Sequence, residues 1–233
     1  MGQHNDNRQF AEEWIRRLDP SYRQRWDIYD TILKRLTGPD TRWLDCGCGN
    51  NEAVAEFPCA LNIGIDRYRH PTLKTLPNAR FVMADIDTLP FSDGQFDLVT
   101  LNTVVEHLEE PERSIGEIHR VLSQGGHMLI HTTNRRSPLI MMGNLFPQAL
   151  RVRMMNTAFG GHEPDIFPTL HRLNTAKSIA LLPGFTVEDL YLVQDLNWSR
   201  KTVFAGLMLY HLITKITHLH GFRTNIVALL RKS

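Results

Sequence analysis

Short apolar runs alternate with longer amphipathic segments through the middle of the chain. The runs have the length and composition of buried strands, and they cover residues 42–46, 61–65, 79–84, 96–102 and 126–132. Most of the segments between them have the apolar spacing of helices. Strands that alternate with helices form parallel sheets covered on both faces, so the pattern predicts a doubly wound, mainly parallel α/β sheet.

Further elements are predicted on both sides of this alternation. Residues 8–18 and 21–37 predict two N-terminal helices, with Ser21 as the N-cap of the second. A helix is also predicted over residues 111–122, where the proline fits the first helical position. The carboxyl-terminal part predicts a helix over residues 174–182, a strand over 185–193, an apolar helix, and a last strand over 225–230. The sheet therefore has seven predicted strands.

The composition is that of a globular protein with almost no net charge. The 233 residues are 42% hydrophobic and have a formal charge of +1, so charge gives no reason to expect a nucleic acid partner. The charge is unevenly distributed, because no acidic residue follows Asp195 whereas several basic residues do. Three cysteines without a C-x-x-C pair argue against disulfides and zinc, and we expect a cytoplasmic protein.

The longest apolar stretch covers residues 203–219 and is interrupted by His211, Lys215 and His218. It is too short and too polar to predict a membrane span. Burial of this helix inside the protein is the favoured interpretation. Peripheral contact with a membrane, through residues 203–219 and the basic C-terminal residues, is the alternative.

Acidic residues and glycines occur where the first two predicted strands end. Asp45 is followed by Gly47 and Gly49, and the second strand ends at Asp66. Glycines at alternate positions let backbone N–H groups approach a ligand, and an acid after the second strand can bond the hydroxyls of a ribose. The pattern therefore predicts a nucleoside site. The dinucleotide fingerprint needs a third glycine where this chain has Glu52, which disfavours a nicotinamide enzyme.

The D-x-G-x-G run that begins at Asp45 resembles the first motif of class I S-adenosylmethionine-dependent methyltransferases. Residues 83–87 (MADID), 89–91 (LPF) and 96–99 (FDLV) resemble the next motifs of the small-molecule group called type 11. The resemblance extends from Arg42 to the C-terminus and implies S-adenosyl-L-methionine as the cofactor. We expect a methyltransferase that acts on a small or lipid-linked acceptor, at oxygen.

This resemblance also implies an organisation of the chain into four parts. Residues 1–40 would form an N-terminal helical cap, and 41–134 the cofactor-binding core. Residues 135–173 would be a helical insertion after the fifth strand that selects the substrate. Residues 174–233 would complete the same α/β domain.

The resemblance assigns the amino-acid and ribose parts of the cofactor to the ends of the first two strands. Asp45 would bond the ammonium group, directly or through water. The backbone of Gly47, Cys48 and Gly49 would lie against the amino-acid part, and Asp66 would bond the ribose.

The adenine is assigned to residues that follow the second and third strands. Arg67 would cover one face of the ring, Asp85 would accept a hydrogen bond from its amino group, and Ile86 would contact the ring. Asn102 would make a backbone contact beneath the cofactor. Asn51 stands where a third glycine is usual in the family, and asparagine tolerates left-handed backbone angles better than most residues.

Histidines are the candidate catalytic residues, because an acceptor hydroxyl needs a base near neutral pH. His107 follows the fourth strand, where methyl donor and acceptor meet in the family. His162 and His171 lie in the insertion, as part of an acceptor site or of a lid. A metal is not expected, since Thr103 replaces the first acid of the E-x-x-E-H ligand set of some family members.

Two other functions stay open at this point. A non-catalytic protein of the same fold would bind a nucleoside or a partner, and the substitution at Asn51 favours it. A nucleic-acid methyltransferase would need a pocket for an extruded base, and many carry Asn/Asp-Pro-Pro-aromatic after the fourth strand. This chain has Asn-Thr-Val-Val at residues 102–105, so we expect no nucleic acid partner.

Overall fold

The strands and helices alternate as the sequence pattern predicts. The computed structural model describes residues 2–73, 79–145 and 169–233. The strands are β1 Arg42–Cys46, β2 Leu61–Asp66, β3 Ala79–Met83, β4 Phe96–Asn102, β5 Leu122–Thr133, β6 Phe185–Val193 and β7 Asn225–Lys232. The helices are α1 Gly2–Leu18, α2 Arg25–Leu36, α3 Glu52–Ala55, α4 Pro111–Val121, α5 Pro138–Asn144, α6 Ala176–Ala180 and α7 Lys201–Ile216. Short 3₁₀ turns cover Ile86–Thr88, Val105–His107 and His220–Phe222.

These strands form one seven-stranded sheet in the order β3-β2-β1-β4-β5-β7-β6. β1 pairs in parallel with β2 and with β4, and the pairs β2–β3 and β4–β5 are also parallel. The chain order reverses on either side of β1, and open α/β sheets bind ligands at the carboxyl ends of the strands at such a point. The predicted doubly wound, mainly parallel sheet is confirmed.

The central strands are buried, which explains their almost continuous apolar sequence. Every residue of β1 after Arg42 is buried, and Trp43, Phe96, Leu98 and Leu129 belong to the largest fully buried side chains. Burial of one large apolar side chain contributes about 1.5–3 kcal/mol to folding. This core holds the carboxyl ends of β1, β2 and β4 side by side.

Two predicted helices are present in the structure. α4 begins at Pro111 and buries Ile115, Ile118 and Val121, which recur at helical spacing. α6 is shorter than predicted, and Thr175 is its N-cap. The Thr175 hydroxyl accepts from the Ser178 N–H at 3.0 Å, and the Thr175 N–H donates to Ser178 Oγ at 3.2 Å, a reciprocal capping box.

The predicted cap of α2 is wrong. α2 begins at Arg25, four residues later than predicted, and Ser21 does not cap it. The Ser21 hydroxyl donates to Asp19 Oδ1 at 2.6 Å, and the Ser21 N–H donates to the same oxygen at 3.2 Å. An acid two residues earlier thus captures Ser21 in a local turn, a common alternative to capping.

The start of the fifth strand also differs from the prediction. β5 begins at Leu122, directly after α4, rather than at Gly126. Gly125 has a positive φ of 74° and lies inside the strand, where the ladder between β4 and β5 has an irregular register. Glycine weakens strands and often marks such a bulge, which is why the apolar pattern begins only after it.

Contacts divide the chain into two units. The sheet unit consists of residues 29–133, 169–191 and 226–233, and the helical unit of Met1–Ile28, Asn134–Pro168 and Leu192–Asn225. The four-part organisation expected from the sequence stays a prediction.

In the helical unit, α1 packs against α7. Ala11, Leu196, Phe204 and Met208 form its buried apolar cluster, and the ring of Phe10 meets that of Phe204 edge-on at 6.0 Å. Edge-to-face aromatic pairs add to the stabilisation that burial provides.

A buried acid links the end of α1 to α7. The Asp19 and His211 side chains are both 3% exposed, and His211 Nε2 lies 2.8 Å from Asp19 Oδ2. Lys215 Nζ lies 2.7 Å from Asp19 Oδ1. Burial alone would raise the pKa of Asp19, but hydrogen bonds from Lys215, Ser21 and His211 outweigh it and hold this pKa well below its usual value. Burial lowers the pKa of His211, so the neutral ring donates Nε2–H to the carboxylate.

Replacement of this carboxylate should destabilise the protein in a pH-dependent way. Because the folded pKa of Asp19 is depressed, its stabilising contribution is present above the unfolded value of 3.8 and is lost as the pH falls below it. We expect Asp19→Asn to lower the free energy of unfolding by roughly 2–4 kcal/mol at pH 7. Denaturant unfolding at pH 7 and pH 3 should show this difference shrink at the lower pH. The matched change Asp40→Asn, at an exposed acid, should stay within about 0.5 kcal/mol of the wild type. An equal loss for Asp19→Asn at both pH values would contradict the assignment.

Candidate functional site

The turn after β1 has the backbone that its glycines predict. Gly47 and Gly49 have φ values of 72° and 53°, in the left-handed region that favours glycine. A Cβ atom on Gly47 would clash with Cγ2 of Val104, in the loop after β4. Asn51 has a φ of 62°, so asparagine adopts here the left-handed conformation for which the family normally uses glycine. The N–H groups of Gly47 and Cys48 donate to the Ile65 carbonyl at 2.8 and 2.9 Å, which fixes the turn against β2.

Asp66 ends β2 and lies against this turn. Its Oδ2 accepts a hydrogen bond from the Gly49 N–H at 3.1 Å, and its Oδ1 accepts from the Tyr68 N–H at 3.2 Å. The structure thus brings together an acid and a glycine that are 17 residues apart in the sequence. A Cβ atom on Gly49 would meet nothing within 4 Å, so space is open in front of the turn. A carboxylate beside an open glycine turn fits the predicted nucleoside site.

Asp85 follows β3 and forms an ion pair with Arg67, which follows β2. Arg67 Nε lies 3.0 Å from Asp85 Oδ2, and the Asp87 N–H donates to Asp85 Oδ1 at 3.0 Å. Burial alone would raise the pKa of Asp85, but the Asp87 N–H and the Arg67 guanidinium outweigh it and lower this pKa. Ile86 is half-buried at the start of the next turn. Two of the three residues assigned to the adenine from sequence, Arg67 and Asp85, are therefore bonded to each other, and the roles of all three toward a ligand stay predictions.

Asp45 is buried in the middle of the sheet. Its Oδ1 accepts a hydrogen bond from the Thr100 hydroxyl at 2.5 Å, and Trp43 Nε1 donates to the same hydroxyl at 2.8 Å. Burial raises the pKa of Asp45 to about 7; the Thr100 hydrogen bond opposes this effect, and the charge of Asp66 adds to it. Asp45 thus has a pKa at which a nearby cation can change its charge near neutral pH.

Sequence reasoning missed the residues that surround Asp45. Thr100 faces Asp45 across the β1–β4 ladder, and it is a polar residue inside an otherwise apolar buried strand. This polar residue among apolar ones was the feature of the sequence that could have indicated a partner for a buried polar group. Tyr29 of α2 is also buried. This burial, and to a smaller extent the charge of Asp45, raises the pKa of the Tyr29 hydroxyl. No sequence pattern pointed to Tyr29.

Asn102 ends β4, where its side chain holds a buried histidine. Asn102 Oδ1 lies 2.7 Å from Nδ1 of His131, whose ring meets that of Tyr29 edge-on at 6.3 Å. The next residue, Thr103, has a φ of 59°, which is rare for a β-branched side chain. The Thr103 N–H donates to the His131 carbonyl at 2.8 Å. Strained backbone of this kind occurs mainly at functional sites.

Glu106 connects two of the three candidate catalytic histidines. Its backbone carbonyl accepts from the Leu170 N–H at 2.7 Å and from the His171 N–H at 3.2 Å, so His171 lies beside the segment that carries His107. His107 is half-buried and His171 is buried, with a φ of 51°. Glu106 is 3% exposed, and its Oε2 accepts from the Thr132 hydroxyl at 2.7 Å. Burial raises the pKa of Glu106, whereas the Thr132 hydrogen bond lowers it.

The third candidate, His162, lies outside the described residues. Within residues 2–73, 79–145 and 169–233, no group of three or more His, Cys, Asp or Glu side chains is placed to hold a metal ion. The thiol of Cys48, in the turn after β1, has a pKa raised by burial and by the charges of Asp45 and Asp66. It is therefore poorly suited to act as a nucleophile.

Comparison with known proteins agrees with this geometry. A family model described as a methyltransferase domain matches residues 44–130. A protein of Encephalitozoon cuniculi that is named as a methyltransferase is 30% identical over 213 residues, or 85% of this chain and 92% of that protein. The ubiquinone/menaquinone biosynthesis C-methyltransferase of Vibrio vulnificus is 27% identical over 108 residues, or 40% of this chain and 41% of that protein.

Solved structures show the same fold at lower sequence identity. An S-adenosylmethionine-dependent methyltransferase from Methanosarcina mazei has a TM-score of 0.53 at 18% identity, with 86% of this chain and 96% of that chain covered. The cyclase SpnF has a TM-score of 0.51 at 20% identity, with 88% and 79% covered. The resemblance inferred from the sequence motifs is confirmed by the family model and by the relative that is similar over most of both chains. The chain belongs to the S-adenosylmethionine-dependent methyltransferases, and S-adenosyl-L-methionine is its cofactor.

Proposed function

We propose that this methyltransferase transfers the methyl group to oxygen of a small or lipid-linked acceptor, with His107 as the base. The observation that carries the proposal is the arrangement after β4. There the backbone of Glu106, three residues after the strained Thr103, bonds the N–H of His171 and so holds His171 beside the segment of His107. The arrangement places one half-buried and one buried imidazole on neighbouring segments. Imidazole is the side chain best suited to take a hydroxyl proton near neutral pH.

The cofactor supplies a methyl group that is already activated for displacement. The residues of the chain therefore mainly bind, orient and exclude water. Asp66 would bond the ribose and keep the turn after β1 in place through the Gly49 N–H. His107 would accept the proton of the acceptor hydroxyl as the oxygen takes up the methyl group, so that the acceptor leaves as a neutral ether.

A lipid-linked acceptor is favoured by one of the relatives. The Vibrio vulnificus protein is named for ubiquinone and menaquinone biosynthesis, and both names denote compounds with apolar tails. The same name states methylation at carbon rather than at oxygen. An acceptor screen must therefore determine the atom that is methylated as well as the acceptor.

Binding without catalysis is the second candidate function. It is favoured by the ion pair between Arg67 and Asp85, which engages two of the three residues assigned to the adenine. The cyclase neighbour also illustrates that this fold is not restricted to methyl transfer. A nucleic acid substrate is disfavoured by the sheet unit, whose described residues contain twelve Arg and Lys against seventeen Asp and Glu.

Loss of the Asp66 carboxylate should weaken cofactor binding. We expect calorimetry to show micromolar binding of S-adenosylhomocysteine and a loss of roughly 1–3 kcal/mol in Asp66→Ala, because buried polar groups of the ligand are left unpaired. Asp93→Ala removes an exposed acid from a surface ion pair with Arg120 and should leave the affinity unchanged. Equal affinity in the wild type and Asp66→Ala would remove the ribose assignment.

Cofactor binding should also depend on pH through Asp45. The folded pKa of about 7 lies above the unfolded value of 3.8, so the protonated carboxyl contributes stability that is complete below pH 3.8 and is lost as the pH rises through 7. A ligand ammonium beside Asp45 favours the ionised form, so the affinity for S-adenosylhomocysteine should rise between pH 6 and pH 8.

The isosteric change Asp45→Asn keeps an acceptor for the Thr100 hydroxyl and should abolish this pH dependence. Calorimetry in buffers of different ionisation enthalpy should detect proton release on binding to the wild type only. A wild-type affinity that is flat over the same range would show that Asp45 does not meet the ammonium group.

Removal of the proposed base should slow the reaction and spare cofactor binding. We expect His107→Gln to lower turnover roughly 100- to 10,000-fold, the usual contribution of a general base. The assay uses phenols with and without isoprenyl tails, and mass spectrometry assigns the methylated atom. His127→Gln is the matched control. His127 lies in β5 rather than in the loop after β4, and its Nε2 is 3.1 Å from Glu188 Oε2. Undiminished turnover in His107→Gln, or methylation at carbon only, would refute the base assignment.

A further inference from the structure

The outward face of α7 is apolar and exposed. Leu209, Ile213 and Ile216 recur at intervals of four and three residues, so they share one face of the helix. Their exposed fractions are 60%, 48% and 75%. At 100° per residue, this face lies opposite the buried positions of the helix. The buried positions are Phe204, Met208, His211 and Thr214.

Exposed apolar side chains are concentrated in the helical unit. Among the described residues, sixteen large apolar side chains are exposed, and eleven of them belong to this unit. α1 contributes Trp14 and Leu18, and α5 contributes Met141 and Met142. Single exposed apolar residues are common on any protein, whereas several on one face of a helix, as on α7, indicate an interaction surface.

The same unit carries the positive charge of the protein. Its described residues include eleven Arg and Lys against six Asp and Glu, a formal excess of five positive charges. Exposed cations lie near both ends of α7. Arg200 at its start is exposed. Two neighbouring cations make contacts within the unit instead, because Lys201 lies over the Phe10 ring and Arg223 donates to the Leu192 carbonyl beyond the end of α7. The guanidinium of Arg136 lies 5.8 Å from the ring centre of Phe222, next to the same end.

We propose that the outward face of α7 binds an anionic lipid bilayer, with the helix parallel to the membrane surface. Leu209, Ile213 and Ile216 would enter the boundary between headgroups and acyl chains, and the exposed Arg200 and Arg136 would meet the anionic headgroups. In the described part of the chain, no helix is long and apolar enough to cross a membrane. A helix that lies in the membrane interface would have an apolar face like that of α7 and would not need to cross the membrane.

A second copy of the chain is a less suitable occupant of this face. A symmetric dimer through α7 would bring together two units that each have an excess of five positive charges, and like charges oppose association. An anionic surface has the complementary charge and accommodates the apolar stripe as well. The proposal is independent of the methyl acceptor, because membrane binding needs neither cofactor nor turnover.

Vesicle flotation tests the proposal directly. We expect the protein to bind vesicles of phosphatidylcholine and phosphatidylglycerol, to bind phosphatidylcholine alone more weakly, and to lose affinity with added salt. Ile213→Glu and Ile216→Glu should each lower the partition coefficient by roughly tenfold or more, because an apolar contact is replaced by a repelled charge. Arg200→Gln should lower binding to the anionic vesicles only.

The matched control is Leu181→Glu in the sheet unit. Leu181 is 69% exposed, so the same chemical change is made at a comparable position outside the helical unit. It should leave vesicle binding unchanged, and circular dichroism should show all variants folded. The proposal is overturned if the wild type binds no vesicle, or if Leu181→Glu reduces binding as much as Ile213→Glu does. It is also overturned by a wild-type dimer that Ile213→Glu dissociates while vesicle binding is absent.

Discussion

The turn after β1 passes so close to its neighbours that two positions have no room for a Cβ atom. A Cβ on Gly47 would clash with Val104, and one on Gly64 would clash with Asn51 and with Cys48. The turn, β2 and the loop after β4 therefore fix one another by contact. The hydrogen bond from the Gly49 N–H to the acid at the end of β2 depends on this approach, since only a turn packed directly on β2 brings the two groups to 3.1 Å. The position of Asp66, which is predicted to bond the ribose, thus follows from the packing of the backbone around it.

Two acids at the same sheet edge have opposite electrostatic environments. Asp45 is buried and hydrogen bonded to a neutral hydroxyl, so its pKa is raised to about 7. Asp85 is more exposed, and the Asp87 N–H and the Arg67 guanidinium outweigh its burial, so its pKa is lowered and it stays ionised. Burial destabilises the charged form of an acid, and this makes Asp45 responsive to a cation that enters the site. Asp85 already has its cation, so a ligand group at that position must compete with Arg67.

Sequence reasoning recovered the sheet because its central strands contain short apolar runs, and in β2 and β4 such a run ends in a polar residue, Asp66 or Asn102. The acids at strand ends could be placed at one edge for the same reason, since parallel strands end on the same side. The partners of those acids could not be found in this way. The pairing of Asp45 with Thr100 depends on the register between β1 and β4, which the pattern of a single strand does not contain. Ser21 was misassigned because a local acid competed for its hydroxyl, and competition between two nearby partners is not visible in capping patterns alone.

The helices α4 and α7 differ in how many apolar stripes they carry. α4 buries Ile115, Ile118 and Val121 and exposes charged residues, so one apolar stripe is sufficient to hold a helix on this sheet. α7 has such a buried stripe in the helical unit and carries a second apolar stripe on the opposite face. The second stripe is about half exposed or more, whereas the exposed face of α4 carries charged residues. An exposed apolar stripe favours association in water. The presence of this stripe beside a segment without acidic residues is therefore best explained by a surface that α7 binds.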